Sequence, residues 1–541
     1  MVRTRKQVLA LLLAFSTACL LGARAAGSGR FDAPPPGIKP ASATLDEVMA
    51  RADAAGGTDP GAMMESWRFD AGGTRGTERD VYAGDDYRIS TQTGPFTYAR
   101  GRRNGRFWRQ NANGLTIVLS GAQPDESANG LWRSARRTRD SARLLGEVAS
   151  PAPSFVVQLS PKGGHREWLF IDKATARITR AEIAYPNRRV IVRADDFREC
   201  GGITRAGHLH LSDTRSKADD VDWRLTDCRT DAALDAQTLD IPANTRTFDQ
   251  LPNEVSKLTL PARFIDSHVY LRATVNGHPA YFMLDSGTSD IVLDRAFVRS
   301  LGLKEYAQTT AVGAGRYQQG QVLAKKIRIG RLTLRDVAAY SVPFHYRIRD
   351  VEVVGLLGYD FFADAVVHVD YFHERVEVTD QSALDSAPLA KQISVSLALD
   401  GAVPVAQVRV GGSPPARFVV DTGSSDVVIF SHFARAHPAD VADAGGGAAL
   451  SRFLPLTASA IGGTLHFVPV ELRSFSFARN VFHDFMVQRL ENSSPFESQN
   501  ADGLIGYEFL HYFDLYFDYE NRRLVLVPNP WLQHADEFIV Q

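Results

Sequence analysis

The sequence predicts a mainly β protein, with an N-terminal β-rich domain followed by two copies of one β-rich lobe. Two observations carry this. From Trp67 to about Ile241 short runs of alternating character are separated by Gly, Asn and Asp, the pattern of antiparallel strands joined by turns. From near Pro261 onward the chain repeats itself in blocks that agree in order and spacing. At 541 residues there is material for about three domains. The 44% hydrophobic and 23% charged fractions are those of a soluble globular chain. A formal net charge of −1 gives no electrostatic ground for a nucleic acid or an anionic membrane as partner.

The chain opens MVRTRKQ, then VLALLLAFSTACLLGA, and reaches Ala23-Arg24-Ala25 before Ala26. A basic head, a short apolar stretch and a small-residue cleavage site make residues 1–26 a secretory signal peptide. The apolar stretch falls short of the ~20 residues that span a bilayer, so no stable membrane insertion is expected once it is removed. Ser16 stands where a lipoprotein attachment motif wants Leu, which argues against lipidation at Cys19. The mature chain then keeps Cys200 and Cys228, in a periplasmic or secreted setting where disulfides persist. A bridge between them would stabilise the fold by roughly 3–4 kcal/mol on the chain-entropy account.

Residues 27–40, with Gly27, Gly29 and Pro34-Pro35-Pro36, read as a linker. The N-terminal domain, 41–252, begins with ATLDEVMARADAAGG, where Leu45, Val48 and Met49 lie at helical spacing and Gly56-Gly57 form a stop. A meander follows: DVYAGDDYRIST, GRFWRQ, GLTIVLS, FVVQLS, EWLFID, ITRAEIAY, RRVIVRADDF and HLHLSDT. A helix followed by a long antiparallel meander resembles the half-open barrel of periplasmic lipoprotein carriers, and a β-sandwich would give the same alternation. That resemblance implies a carrier role for an apolar ligand. Arg133, Arg136, Arg137, Arg139 and Arg143 read as a solvated basic face. His208 and His210 share one face of a strand but lack Cys or carboxylate ligands at a recognised spacing, so no metal is expected there.

The two copies of the repeat read ATVNGHPAYFMLDSGTSDIVLD and AQVRVGGSPPARFVVDTGSSDVVIF. Each runs strand, turn, apolar strand and Asp-(Ser/Thr)-Gly-(Ser/Thr)-Ser-Asp. A second block, VVGLLGYDFF, stands about 70 residues after Asp285, and ADGLIGYEFL stands at the matching place after Asp421. A third consists of VVHVDYFHERVEV and LYFDYENRRLVLV, in which Asp370-Tyr371 matches Asp518-Tyr519.

These three blocks resemble the retropepsin-like aspartic proteases, the single-lobe relatives of pepsin. The resemblance implies two acid-protease β-barrel lobes, 256–382 and 388–535, joined by TDQSALDSAPLAK and paired within one chain as a pepsin-like pseudo-dimer. A monomer would then suffice for the site. It further implies an aspartic endopeptidase acting on a peptide or protein, without cofactor or metal, through a catalytic pair, Asp285 and Asp421. Ser286 and Thr422 would hydrogen-bond across to the opposite loop. Gly287 and Gly423 would let each loop turn sharply beside the carboxylates. Gly355, Leu356, Leu357 and Gly358, with Gly503, Leu504, Ile505 and Gly506, would pack beneath. Hydroxyls at Thr288 and Ser424, donating to the carboxylates, would lower the pair's pKa values and give an acidic optimum.

Gly313, Gly315 and Gly320 mark a candidate flap over the cleft in the first lobe. In the second lobe either Gly445-Gly446-Gly447 or Gly462-Gly463 could serve. An alternative is a module that binds a peptide or envelope component without cleaving it, because a fold does not establish an activity.

Overall fold

The structure is a computed structural model that describes residues 31–57, 61–119, 141–160, 165–185, 188–214, 220–230, 236–245, 248–249, 257–379, 392–399, 401–443, 456–478, 480–491 and 501–533. The signal peptide, the arginines at 133, 136, 137 and 139, nearly all of the interlobe linker, the Gly445–Gly447 run and most of ENSSPFESQN lie outside them. The chain divides into two compact units, one holding residues up to Asn111 and Val118–Ala243, the other Ala112–Ile117 and Asn244 onward. Among the described residues no helix is long and apolar enough to cross a membrane.

The N-terminal unit is one antiparallel sheet with a helix against it. Its strands run in space from Arg106–Gln110 back to Ala62–Ala71, then from Val221–Arg229 back to Arg143–Val148. The two runs are joined by pairing of Ala62–Ala71 with Val221–Arg229. A single continuous sheet excludes the sandwich left open by the sequence.

The helix spans Leu45–Gly56, and Thr44 caps it in a capping box with Glu47, each side chain satisfying a backbone N–H that the first turn leaves free. Its Val48 and Met49 bury against Phe155, Val157, Leu159, Leu169 and Ile171, inward-facing residues of two neighbouring strands. Cys200 and Cys228 are bridged, tying two strands that flank Ile203–Asp213.

The second unit holds two lobes of one design. In the first, Asn276-Gly277, both at positive φ, make the two-residue turn between His268–Val275 and His278–Leu284, the turn chemistry that suits a twisted hairpin. His278–Leu284 then pairs in parallel with Val351–Leu357, whose other edge takes Ile291–Asp294 antiparallel. The second lobe repeats this: Ala416–Val420 pairs in parallel with Gly503–Ile505, which takes Val428–Ile429 antiparallel. In each lobe the acidic loop is therefore the crossover between two strands that flank a third.

Gly355 and Gly503 allow this close packing. A Cβ on Gly355 would meet the Phe282 ring at 2.4 Å and the Val292 carbonyl at 2.5 Å, and one on Gly503 would meet Phe418 and Val428 at 2.4 Å.

A six-stranded sheet joins the lobes, in the order Lys257–Leu260, Arg375–Thr379, Val366–Asp370, Phe513–Asp518, Arg523–Pro528, Ile393–Ser396. Its central seam pairs Val367 with Phe517, His368 with Tyr516, Val369 with Leu515 and Asp370 with Asp514. The third repeated block thus supplies the strands that hold one lobe to the other.

The segment Ala112–Ile117, which the sequence placed in the N-terminal domain, packs as part of this unit. The Asn113 amide accepts from the Ala338 N–H at 2.8 Å and donates to the Ala338 carbonyl at 2.9 Å and to Asp360 at 2.7 Å.

Two outcomes are expected from this packing. Gly355→Ala and Gly503→Ala should each lower stability by roughly 1–3 kcal/mol, the range for overpacking a filled core, read as a lower denaturant midpoint. The intact mass of freshly purified chain should lie two hydrogens below that of the reduced chain, reflecting the Cys200–Cys228 bridge.

Candidate active site

The two acidic loops meet where the lobes face each other, and their contacts are reciprocal. The Ser286 hydroxyl donates to the Val420 carbonyl at 2.8 Å and accepts from the Thr422 N–H at 3.0 Å. The Thr422 hydroxyl donates to the Leu284 carbonyl at 2.9 Å and accepts from the Ser286 N–H at 3.0 Å. Ser286 and Thr422 are both fully buried, so these bonds form out of competition with water.

From below, the Asp285 N–H donates to the Leu357 carbonyl at 3.0 Å and the Asp421 N–H to that of Ile505 at 2.9 Å. Tyr359 and Tyr507 donate their N–H groups to Thr288 and Ser424 at 2.9 and 2.8 Å. Cβ atoms at Gly358 and Gly506 would stand 2.2 Å from the Thr288 carbonyl and 2.4 Å from that of Asp426. Leu356, Leu357, Leu504 and Ile505 are buried between these glycines.

This scaffold brings the two carboxyls together. A Cβ on Gly287 would touch the Asp421 carboxyl carbon at 2.5 Å, and one on Gly423 that of Asp285 at 2.6 Å. Each loop glycine thus lies directly against the opposite carboxyl. The N–H of Gly287 donates to Asp285 at 3.0 Å, and that of Gly423 to Asp421 at 2.9 Å. Asp285 and Asp421 are each only 8% exposed. Burial raises both above the ordinary carboxylate range, and for Asp421 the charge of Asp285 adds to it, so the pair binds a shared proton more readily than isolated carboxylates would.

The pair is not symmetric. The Thr288 hydroxyl donates to Asp285 at 2.6 Å, opposing the effect of burial on that residue. Ser424, expected to serve Asp421 likewise, instead donates to the Asp426 carbonyl at 3.1 Å. The expectation of two hydroxyl donors is corrected to one: a backbone acceptor two residues on competes for Ser424. Asp285 is therefore the carboxyl whose charged form is supported, and Asp421 the one that favours the proton.

Hairpins from the two lobes meet at their tips. One joins Gln308–Val312 to Arg316–Ile329, the other Leu456–Ala460 to Gly463–Phe477. The Ala314 N–H donates to the Ile461 carbonyl at 3.0 Å. Cβ atoms on Gly313, Gly315 and Gly462 would each fall within 2.6 Å of a carbonyl of the opposite tip. Of the two flap candidates in the second lobe, Gly462-Gly463 is the one at this junction. Gly320 is not at the tip; it pairs with Gln308 within the hairpin, where a Cβ would meet the Glu305 side chain at 2.7 Å.

Residues the sequence did not single out also lie here. His268 sets Nε2 3.2 Å from the Gly423 carbonyl. Under the first hairpin Tyr317 packs with Val292, Ala311 and Leu356. Tyr317, Gln319 and Thr309 are buried there, and the Tyr317 and Thr309 hydroxyls and both amide atoms of Gln319 find no partner among the described residues. A buried amide without a partner is costly; the one sequence signal, alternation of polar and apolar residues along the hairpin, gives no sign of it.

No curated protein matches the sequence. An aspartic proteinase from Irpex lacteus is similar in structure over 51% of this chain and 98% of its own, at 14% identity and a TM-score of 0.32. A retropepsin-like aspartic protease from Rickettsia conorii is similar over 24% of this chain and 92% of its own, at 22% identity and a TM-score of 0.17. A LolA superfamily protein from Nitrosomonas europaea is similar over 37% of this chain and 98% of its own, at 15% identity and a TM-score of 0.30. Residues 271–361 and 406–509, one stretch in each lobe and each containing its acidic loop, match the aspartyl protease family.

Proposed function

We propose that the chain is an aspartic endopeptidase in which Asp285 and Asp421 act as one catalytic pair on a peptide or protein substrate. The observation that carries this reading is the interlocking of the two loops, with each loop glycine against the opposite carboxyl. That arrangement leaves no room for a side chain between the carboxyls and holds them for shared-proton chemistry. The Cys200–Cys228 bridge supports export to an oxidising compartment.

The asymmetry at Thr288 assigns the roles. Ionised Asp285 accepts a proton from water as the water oxygen bonds to the peptide carbonyl carbon, and the carbonyl oxygen takes the proton of Asp421. In the second step the Asp285 proton passes to the amide nitrogen and the C–N bond breaks. Asp421 recovers its proton from a hydroxyl of the tetrahedral carbon as the carboxylic acid forms. The loop N–H groups and the Ser286–Thr422 bonds fix the carboxyls throughout, so little reorganisation accompanies the reaction. The joined hairpin tips would form a cover for the bound substrate.

Incubation with a diverse peptide library from about pH 3 to pH 8 tests the reading directly. Cleavage by the parent, with none by the Asp285→Asn/Asp421→Asn double variant, is expected; binding without cleavage would favour the non-catalytic module. Each single Asp→Asn variant should lose roughly 10²–10⁴-fold in kcat/KM, the scale of general acid–base catalysis. Mixing the two single variants should restore nothing, because both carboxyls come from one chain.

The pH profile follows from the roles. The rate rises as Asp285 ionises and falls as Asp421 loses its proton. Thr288→Ala removes a donor that favours ionised Asp285, which raises that pKa and moves the acidic limb to higher pH. Ser424→Ala should leave the limb in place.

A further inference from the structure

The seam between the lobes holds a second cluster of ionisable groups, on the face of the six-stranded sheet turned away from the catalytic pair. Alternation along a strand sets Asp370 and Tyr371 on opposite faces. Tyr371 and its match Tyr519 are buried on the side where the dyad's charges reach them. On the other face a ring nitrogen of His368 and one carboxylate oxygen each of Asp370 and Asp514 lie within 4.8 Å of one another. His368 and Asp370 belong to the first lobe and Asp514 to the second, and Asp370 pairs directly with Asp514 across the seam.

The surroundings of His368 resemble those of a ligand. Its side chain is only 5% exposed, and Nδ1 lies 2.9 Å from Glu377. Its ring stacks on Tyr516 at 4.0 Å and 3°. Nε2 finds no hydrogen-bond partner among the described residues, and neither does Asp514 Oδ1. Glu377 is itself held by Lys257 at 2.5 Å and Thr259 at 3.3 Å. A carboxylate on one ring nitrogen fixes the tautomer that presents the other as an electron-pair donor, the usual second partner of a metal-bound histidine. Asp370 also accepts from Arg375 at 3.0 Å and His373 at 2.9 Å, both about half exposed. Its Oδ1 also accepts from the His373 N–H at 2.9 Å, so a cation there would share this carboxylate with the half-exposed His373 and Arg375 side chains.

The repeat gives a second, independent reason to single these residues out. With Asp370 matched to Asp518, His368 corresponds to Tyr516, Glu377 to Val525 and Asp514 to Val366. Asp518 makes the same strand-end contacts as Asp370, accepting from Asn521 at 3.1 Å and Arg523 at 2.7 Å. The second lobe therefore closes its strands with that aspartate alone. The matching places in the other copy hold Tyr516, Val525 and Val366, yet His368, Glu377 and Asp514 converge across the seam, where Lys257 and Arg375 pair with Glu377 and Asp370 and neither pairs with Asp514 among the described residues.

We propose that His368, Asp370 and Asp514 form a binding site for a divalent transition-metal ion that links the two lobes, with Glu377 orienting His368. One imidazole and two carboxylates suit Zn²⁺ and its neighbours. Bridging both lobes, the ion would stabilise their pairing by binding the folded state alone. The site takes no part in the proposed hydrolysis and is tested without it.

The test uses full-length chain freed of metal with chelator, in a His208→Gln/His210→Gln background, because those imidazoles lie against Asp222 at 3.1 and 3.0 Å and offer a competing site. Zn²⁺ titration by calorimetry should give one saturable site per chain and raise the melting temperature. Co²⁺ should give the visible bands of nitrogen and oxygen ligation without thiolate charge transfer.

Asp514→Asn and His368→Tyr, the latter installing the residue of the matching position, should abolish both effects. Glu377→Gln should weaken binding roughly 10–100-fold, and the Asp285→Asn/Asp421→Asn variant should bind as the parent does. Burial and then the Asp370 charge push Asp514 up to about 6, so a proton is the rival occupant. If Zn²⁺ shows no saturable site, if it binds both ligand variants as well as the parent, or if Asp514→Asn alone raises the melting temperature and Zn²⁺ adds nothing, the proposal is overturned.

Discussion

Two carboxyls that burial and mutual repulsion would drive apart are held side by side by four hydrogen bonds between Ser286 and Thr422 and the opposite loop. Much of the second unit can be understood from that constraint. The bonds require each loop to present a hydroxyl and an N–H to its counterpart at once, which fixes the approach of the lobes to within a hydrogen-bond length. Glycine follows at 287 and 423 because the opposite carboxyl occupies the space of a side chain. The Gly355–Gly358 and Gly503–Gly506 segments follow because a loop so constrained has its backbone N–H groups turned inward, where Leu357 and Ile505 carbonyls receive them.

Near-symmetry in the frame makes the asymmetry at the carboxyls informative. Thr288 and Ser424 occupy matching positions, yet one hydroxyl reaches its carboxylate and the other a backbone carbonyl. A shared proton must reside somewhere, and a single hydrogen bond to the charged form biases it. Two identical lobes would leave the shared proton evenly divided, whereas here a single hydroxyl favours charge on Asp285.

The sequence made the repeated elements legible because the same physical demands were written twice. Asp-Ser-Gly-Thr and Asp-Thr-Gly-Ser, or Gly-Leu-Leu-Gly and Gly-Leu-Ile-Gly, are each weak alone, but their agreement in order shows what the fold requires. What was not repeated was harder to read. Asn113 lies far from Asp360 and Ala338 in the chain, and its matching amide contacts exist only after folding. The direction of the Ser424 hydroxyl depends on a carbonyl two residues away, which composition cannot show. Gly445–Gly447 and Gly462-Gly463 offered equal turn chemistry, and the contact of Gly462 with the opposite tip exists only after folding.

A duplicated lobe also provides its own control, because a residue needed by the fold should have a counterpart and one needed for something else need not. Asp370 and Asp518 pass that comparison, each closing its strand pair through an arginine and a residue three positions on. His368, Glu377 and Asp514 do not, since Tyr516, Val525 and Val366 occupy the matching places in the same sheet. Stacking of His368 on Tyr516 shows how the seam accommodates the difference: the aromatic ring of one lobe supports the imidazole of the other. Lys257 and Arg375 supply counter-charge to Glu377 and Asp370, but Asp514 and the His368 ring nitrogen turned from Glu377 are paired with no cation among the described residues, and a divalent ion is one group that would serve both.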